Sequence, residues 1–312
     1  MGSGSNRRSL TGSPMAMETG FSPCSYRSLQ SVIPLFHVEQ SQPDKAKLQK
    51  KRWHLAKIVA VANQKGGVGK TTTAINLSAS LAVNEQTVLL VDMDPQANAT
   101  SGLGIDLSSA GSTIYDCLMR GKPADEAVQA TGVGGLSVIP ANADLVGAEV
   151  ELVSIPNREI VLKSVMQVIK KQYDFIIIDC PPALGLLTIN ALTAASSVLI
   201  PVQCEYYAME GLGRLLANVK RIQESLNADL ELEGILLTMY DSRNSLARQV
   251  AEEIRTHFKD KVYQSIIPRN VTLAEAPSYG RPVLLYNAAS TGSQAYIELA
   301  KEFLNHGEKS AR

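Results

Sequence analysis

The sequence predicts an α/β fold: a mostly parallel, twisted sheet with helices on both faces. Three observations predict it. An apolar run at residues 57–61 leads into a glycine-rich loop and then a helix-forming stretch at 74–83. Further apolar runs alternate with segments of helical spacing, the pattern of parallel strands joined by crossover helices. Acidic residues directly follow several of the runs, at the carboxyl ends of strands, where sheets of this kind bind ligands.

Taken in order, residues 1–55 have a different texture from the rest. Ser, Gly, Pro and Gln dominate, and hydrophobic periodicity is absent outside residues 32–36. Such a composition buries too little apolar surface to offset ordering entropy, so it reads as a disordered extension or an over-extended start of the reading frame. Arg7, Arg8 and Arg27 fit a transit peptide weakly, and Glu18 and Glu39 count against one. The basic stretch 45–52 reads as a solvated linker. The expected domain runs over 56–307, with a disordered tail at 308–312.

Within that domain, residues 87–91 form a continuous apolar run, as a strand buried on both faces should. Residues 136–139, 175–178, 197–202 and 234–238 read the same way. Helical spacing marks 158–172, 209–225, 246–258 and 293–304.

Composition limits the function classes. The chain has 312 residues, is 45% hydrophobic and 19% charged, and carries a formal net charge of +0. No global field draws it to nucleic acid, so any such binding needs a local basic patch. Cys24, Cys117, Cys180 and Cys204 are widely spaced without a C-x-x-C pair, which argues against a zinc site or a disulfide scaffold and for a reducing cytoplasm. No apolar run reaches the length of a membrane span.

The chemistry starts in Lys65-Gly-Gly-Val-Gly-Lys-Thr71. Glycines let successive N–H groups of Gly66, Gly67, Val68 and Gly69 point at one anion. Lys70 would reach the β/γ-phosphates of a nucleotide and Thr71 would ligate Mg²⁺, with Thr72 beside them at the start of the helix. Gln64 stands where the usual phosphate loop has its first glycine, and a second lysine, Lys65, follows it. Asp179 closes an apolar strand and suits a water-mediated Mg²⁺ contact. Asp94, in Asp92-Met-Asp-Pro-Gln96, is placed to orient or deprotonate an attacking water. Asp92 reads either as a loop-structuring group behind it or as a turn cap.

This loop resembles the deviant Walker A of the ParA/MinD superfamily of P-loop NTPases. The resemblance extends from about residue 56 to 304. It includes D-M-D-P-Q, F-I-I-I-D-C-P-P, Glu205-Tyr-Tyr-Ala-Met-Glu-Gly211, Thr238-Met-Tyr-Asp-Ser-Arg243 and Ile267-Pro-Arg-Asn270. Together these look like the chromosomal ParA (Soj) proteins. The resemblance implies a slow ATPase using ATP and Mg²⁺, with Lys65, Lys70 and Asp94 catalytic. Lys65 would reach across a face-to-face homodimer to the partner's phosphates. Residues 95–98 and 181–185 would be the two switch segments. Pro268 and Asn270 would lie beside adenine. Lys220 and Arg243 would contact double-stranded DNA without sequence preference, with Arg221, Arg248 and Arg255 as further candidates. A ParB-type centromere-binding protein would stimulate hydrolysis, and the protein would be cytoplasmic and nucleoid-associated, without a membrane partner.

Three alternatives stay open. A MinD-like membrane ATPase would end in an amphipathic basic helix, and the chain has little apolar face after Leu304. A metabolic enzyme on the same fold would need a substrate pocket for which no signature is visible. A ParA-like protein moving another cargo differs chiefly in its partner. Cys180 and Cys204 read as buried small side chains rather than cluster ligands.

Overall fold

The computed structural model describes residues 56–106 and 111–310. The expectations for residues 1–55 lie outside them. Eight strands form one sheet: β1 (Lys57–Val61), β2 (Val88–Asp92), β3 (Gln129–Ala130), β4 (Leu136–Ile139), β5 (Phe175–Asp179), β6 (Ser197–Gln203), β7 (Glu231–Tyr240) and β8 (Val262–Pro268). Their order is β3-β4-β2-β5-β1-β6-β7-β8. All neighbouring pairs are parallel except β3 with β4. The sheet is therefore mostly parallel, as the alternation of runs predicts.

The described helices are α1 (Lys70–Val83), α2 (Asn98–Gly102), α3 (Ile114–Met119), α4 (Ala124–Ala127), α5 (Leu145–Glu151) and α6 (Val161–Ile169). They continue with α7 (Leu186–Ala194), α8 (Ala208–Ser225), α9 (Ser245–Phe258), α10 (Val271–Glu275), α11 (Val283–Tyr286) and α12 (Thr291–Ser310). Alternate residues of β1 enter different apolar layers. Ile58 and Ala60 pack with Leu162 and Met166 of α6 and Leu212 and Leu215 of α8. Val59 and Val61 pack with Leu77 and Leu81 of α1 and Leu299 and Phe303 of α12. Each fully buried side chain of this kind contributes about 1.5–3 kcal/mol, and the two layers hold the sheet rigid behind its carboxyl edge.

Several boundaries depart from expectation. The stretch read as one helix over 158–172 is a 3-10 turn (Arg158–Ile160) followed by α6, because Asn157 takes a left-handed φ of 54° that sets the turn. Helix α12 runs to Ser310, past the expected end at Leu304 and into residues expected to be tail. α7 has no counterpart among the expected helices; Leu187, Ala191, Leu192 and Ala194 are buried together with Thr188, Asn190 and Thr193, so it shows no amphipathic period. β3 and β8 are also additions, one of two residues and one at the sheet edge.

Register brings the loops together. Val61 pairs with Asp179 across β1 and β5, and Asp92 pairs with Asp179 across β2 and β5. The glycine loop and two acidic strand ends thus meet at the centre of the sheet, where the chain reverses its direction of strand addition.

Candidate functional site

The loop between β1 and α1 is fixed at both ends. Asn63 is buried; its Nδ2 donates to Pro201 O (2.7 Å) and its Oδ1 accepts from Lys65 N–H (3.0 Å), tying the loop entry to β6. At the exit, Thr238 Oγ1 donates to Val68 O (2.8 Å), tying it to β7. Gly67 and Gly69 have φ of 73° and 88°, a region costly for side chains. Gly69 immediately precedes α1, so the first N–H groups of that helix face the loop.

The two lysines of the loop behave differently. Lys70 is 6% exposed and its Nζ donates to Lys65 O at 3.1 Å. Burial lowers its pKa, and the nearby charges of Asp179 and Asp94 pull it back up. The side chain of Lys65 is 45% exposed, and its Nζ pairs with Glu205 just past β6.

Asp179 is fully buried, and neither carboxylate oxygen has a hydrogen-bond partner. Burial, reinforced by Asp92, raises its pKa well above the ordinary range; the facing Thr71 hydroxyl offsets part of this without reaching hydrogen-bond geometry. An orphaned buried carboxylate is costly unless a cation or its waters complete it, and an oxygen set of this kind suits Mg²⁺. The donor set present therefore fits that ion.

Asp92 is satisfied internally. Thr100 donates to it from its N–H (2.8 Å) and hydroxyl (2.7 Å), and Asp94 N–H adds a third bond at 3.1 Å. Even so, burial raises its pKa to about 6. These contacts fit both of its readings: the bond from Asp94 N–H closes a local turn, and those from Thr100 hold the loop to the first turn of α2. Asp94 is 7% exposed; its Oδ1 accepts from Gln96 N–H (3.0 Å), leaving Oδ2 without a bond from this segment.

Two cavities adjoin. One, of about 330 Å³, is lined by Gly66, Gly67 and residues 69–72 of the loop together with Asp94, Gln96 and Pro182. The other, of about 190 Å³ and mostly apolar, includes Ile267, Pro268, Asn270 and Leu273. Gly69, Thr72 and Met239 line both. A polar cleft continuous with an apolar slot has the shape of a phosphate chain joined to a flat base. Met239 sits between them with a left-handed φ of 49°, strained for a side chain. Asn270 is largely occupied: its Oδ1 caps α10 through Leu273 N–H (3.2 Å) and its Nδ2 donates to Thr291 (2.9 Å).

The basic candidates lie elsewhere. Lys220, on α8, is 75% exposed and lies 3.9 Å from Glu224. Arg243 is 89% exposed and makes a two-pronged pair with Asp241, at 2.9 and 2.8 Å. Arg248 donates to Ser242 O, and Arg255 to Gln264 and to the Tyr263 carbonyl. Neither Lys220 nor Arg243 lines the two cavities. Cys180 and Cys204 are both buried, and burial pushes the Cys204 thiol up to about 11.

Sequence reasoning missed Thr100, Thr238, Glu205 and Met239 as parts of this site. Thr238, Met239 and Glu205 do stand in the motifs that carry the family resemblance; for Thr100 the sequence carries no signal.

The chain is similar to several known proteins. Residues 56–232 match a family model described as an AAA domain (AAA_31). The chain is 55% identical over 253 residues to the sporulation initiation inhibitor protein Soj of Bacillus subtilis (strain 168), covering 81% of this chain and 100% of that protein. It is 54% identical over 250 residues to the chromosome partitioning protein ParA of Myxococcus xanthus (strain DK1622), covering 80% and 88%. Among solved structures, cobyrinic acid a,c-diamide synthase from Mycobacterium smegmatis, with bound ATP analogue and magnesium, aligns with a TM-score of 0.72 at 38% identity, covering 83% of this chain and 98% of that one.

Proposed function

The chain belongs to the ParA/Soj family of chromosome-partitioning P-loop ATPases, and we propose that within it ATP acts as a timer for a DNA-bound homodimer. ATP and Mg²⁺ are its cofactors. Gly66, Gly67, Val68 and Gly69 bind the phosphates through backbone N–H groups. Lys70 and Thr72 complete the cradle. Thr71 and Asp179 hold Mg²⁺, which when bound neutralises charge on the phosphates. Asp94 takes or orients the proton of the attacking water. Pro268 and Asn270 flank adenine.

The observation that carries the reading is the contrast between the two lysines. Lys70 is folded into its own loop, whereas Lys65 is exposed at the loop mouth and reaches outward to Glu205. A lysine so disposed is free to leave Glu205 for a phosphate of a second subunit, where its charge stabilises the leaving group as an arginine finger does. Two copies then close on two nucleotides. Lys220 and Arg243 of both copies form one basic surface, and doubling a weak patch multiplies its affinity for DNA phosphates. A ParB-type partner accelerates hydrolysis and releases the dimer, giving a cytoplasmic, nucleoid-associated cycle. Among the described residues no helix is long and apolar enough to cross a membrane.

The test is DNA binding with ATP and with ADP, for wild type and Arg243→Ala. The reading expects binding with ATP alone and its weakening in the variant. Equal binding in both nucleotide states would defeat the switch.

One observation favours a second reading. A structural relative at 38% identity is a cobyrinic acid a,c-diamide synthase, so ATP use on a carboxylic acid substrate stands as the competitor. ADP release that depends on cobyrinic acid, and not on DNA or a partner, would favour it.

A further inference from the structure

Residues 180–185 connect Asp179 to α7. The N-cap of that helix is Gly185, which has no side chain to offer its first N–H groups. They find their acceptor on another element. Glu149 of α5 accepts from Leu186 N–H through Oε2 (3.0 Å) and from Leu187 N–H through Oε1 (3.2 Å). The approach is tight: a Cβ on Gly185 would stand 2.4 Å from Oε1 and 2.6 Å from Oε2.

α5 is also tied to the acidic centre from its other side. In the loop that leads to it, Ala141 N–H donates to Thr100 Oγ1 (3.0 Å); that hydroxyl donates to Asp92 (2.7 Å). The loop and the helix that follows it thus carry one tether each. The first runs to Asp92, the second to the far end of the segment that follows Asp179 and contributes Pro182 to the cleft wall.

We infer that Glu149 is a positioning residue for ATP hydrolysis: through Gly185 and the first turn of α7 it fixes where residues 180–185 lie against the phosphate cleft. Glu149 lines neither of the two cavities. A Ser or Asp at position 185 would cap the helix locally, without reference to any other element. A carboxylate from α5 caps it and sets its position relative to Asp92 at once. Gly185 is the residue that admits that carboxylate. The inference rests on the reading of this cleft as the ATP-hydrolysing site.

The two roles, cap and tether, separate in a double variant. The backbone at Gly185 (φ −87°, ψ −172°) is extended, as an N-cap residue should be, and removing the Glu149 side chain opens space for a new one. Glu149→Ala should lower kcat about tenfold through misplacement, while ATP affinity changes less than about twofold. Amide hydrogen exchange over 180–187 should quicken. Adding Gly185→Asp should restore the melting temperature but neither kcat nor slow exchange over 180–185. Wild-type kcat in the double variant would show that Glu149 only caps a helix, and would overturn the inference. So would unchanged exchange over 180–185 in Glu149→Ala. Should that variant fail to fold, Glu149→Met, which keeps the length of the side chain but offers only a weak thioether acceptor, gives the same reading; wild-type kcat and exchange there would contradict it. Exchange is measured without nucleotide, so it tests Glu149 separately from the ATPase reading, which fails only if wild type does not hydrolyse ATP.

Discussion

Asp92 and Asp179 stand opposite each other in the register of neighbouring strands, both fully buried, yet only Asp92 is hydrogen-bonded. Burial keeps both pKa values high, Asp92 at about 6 and Asp179 well above its ordinary value. Asp92 holds the loop that carries Asp94, and Asp179 is the proposed Mg²⁺ ligand. On the proposed reading the pair divides structural and ligand-binding work between two identical side chains.

Stability should depend on pH with a definite sign. A carboxyl whose folded pKa exceeds its unfolded value costs stability as pH rises from the unfolded value through the folded one. For Asp92 that window runs from 3.8 to about 6, and for Asp179 it extends higher. Ligand-free protein should therefore lose stability across this range, and Mg·ATP should restore it at neutral pH. Asp179→Asn should raise ligand-free stability by about 1–3 kcal/mol and gain less from Mg·ATP than wild type. Thermal unfolding against pH, with and without Mg·ATP, measures both.

Asp94 is expected to matter for turnover rather than for affinity. Asp94→Ala should lower kcat by about 10²-fold or more and leave ATP binding nearly unchanged. Single-turnover hydrolysis together with equilibrium ATP binding checks the split. A parallel loss of affinity would instead assign Asp94 to holding the nucleotide.

Arg243 has a competitor on its own turn. The guanidinium holds the Asp241 carboxyl down to about 2. Arg243 is exposed and Asp241 partly so, so the pair adds little to stability and yields readily to a phosphate. Asp241→Ala should tighten DNA binding of the ATP form; Arg243→Ala and Lys220→Ala should weaken it for all sequences alike. Removing one phosphate-binding cation should flatten the slope of log K against log salt by about 0.9. Binding isotherms at several salt concentrations read this directly.

The sheet was legible because its strands are continuous apolar runs, and the phosphate loop because its chemistry is local: seven adjacent residues carry it. Asp179 and Asp94 were legible for a related reason, each following such a run. What escaped depends on distant partners or on missing periodicity. α7 is buried around its circumference, and β8 lies at the sheet edge with mixed burial. Glu149 meets Leu186 and Leu187 from another helix, and Lys65 meets Glu205 across 140 positions. Neither spacing leaves a pattern in the sequence. The turn that Asp92 closes through Asp94 N–H is local, but nothing in the sequence marks Thr100, eight positions on, as its double donor.

If ATP completes its site only between two copies of the chain, with Lys65 supplied in trans, then molecular mass should follow nucleotide state. Light scattering with Mg·ATP, on wild type and Lys65→Ala, is the decisive measurement. Wild type should give a dimer mass with ATP and a monomer mass with ADP, and the variant should stay monomeric while still binding ATP. A Lys65→Ala protein that dimerises and hydrolyses ATP as wild type does would remove the trans role and with it the timer.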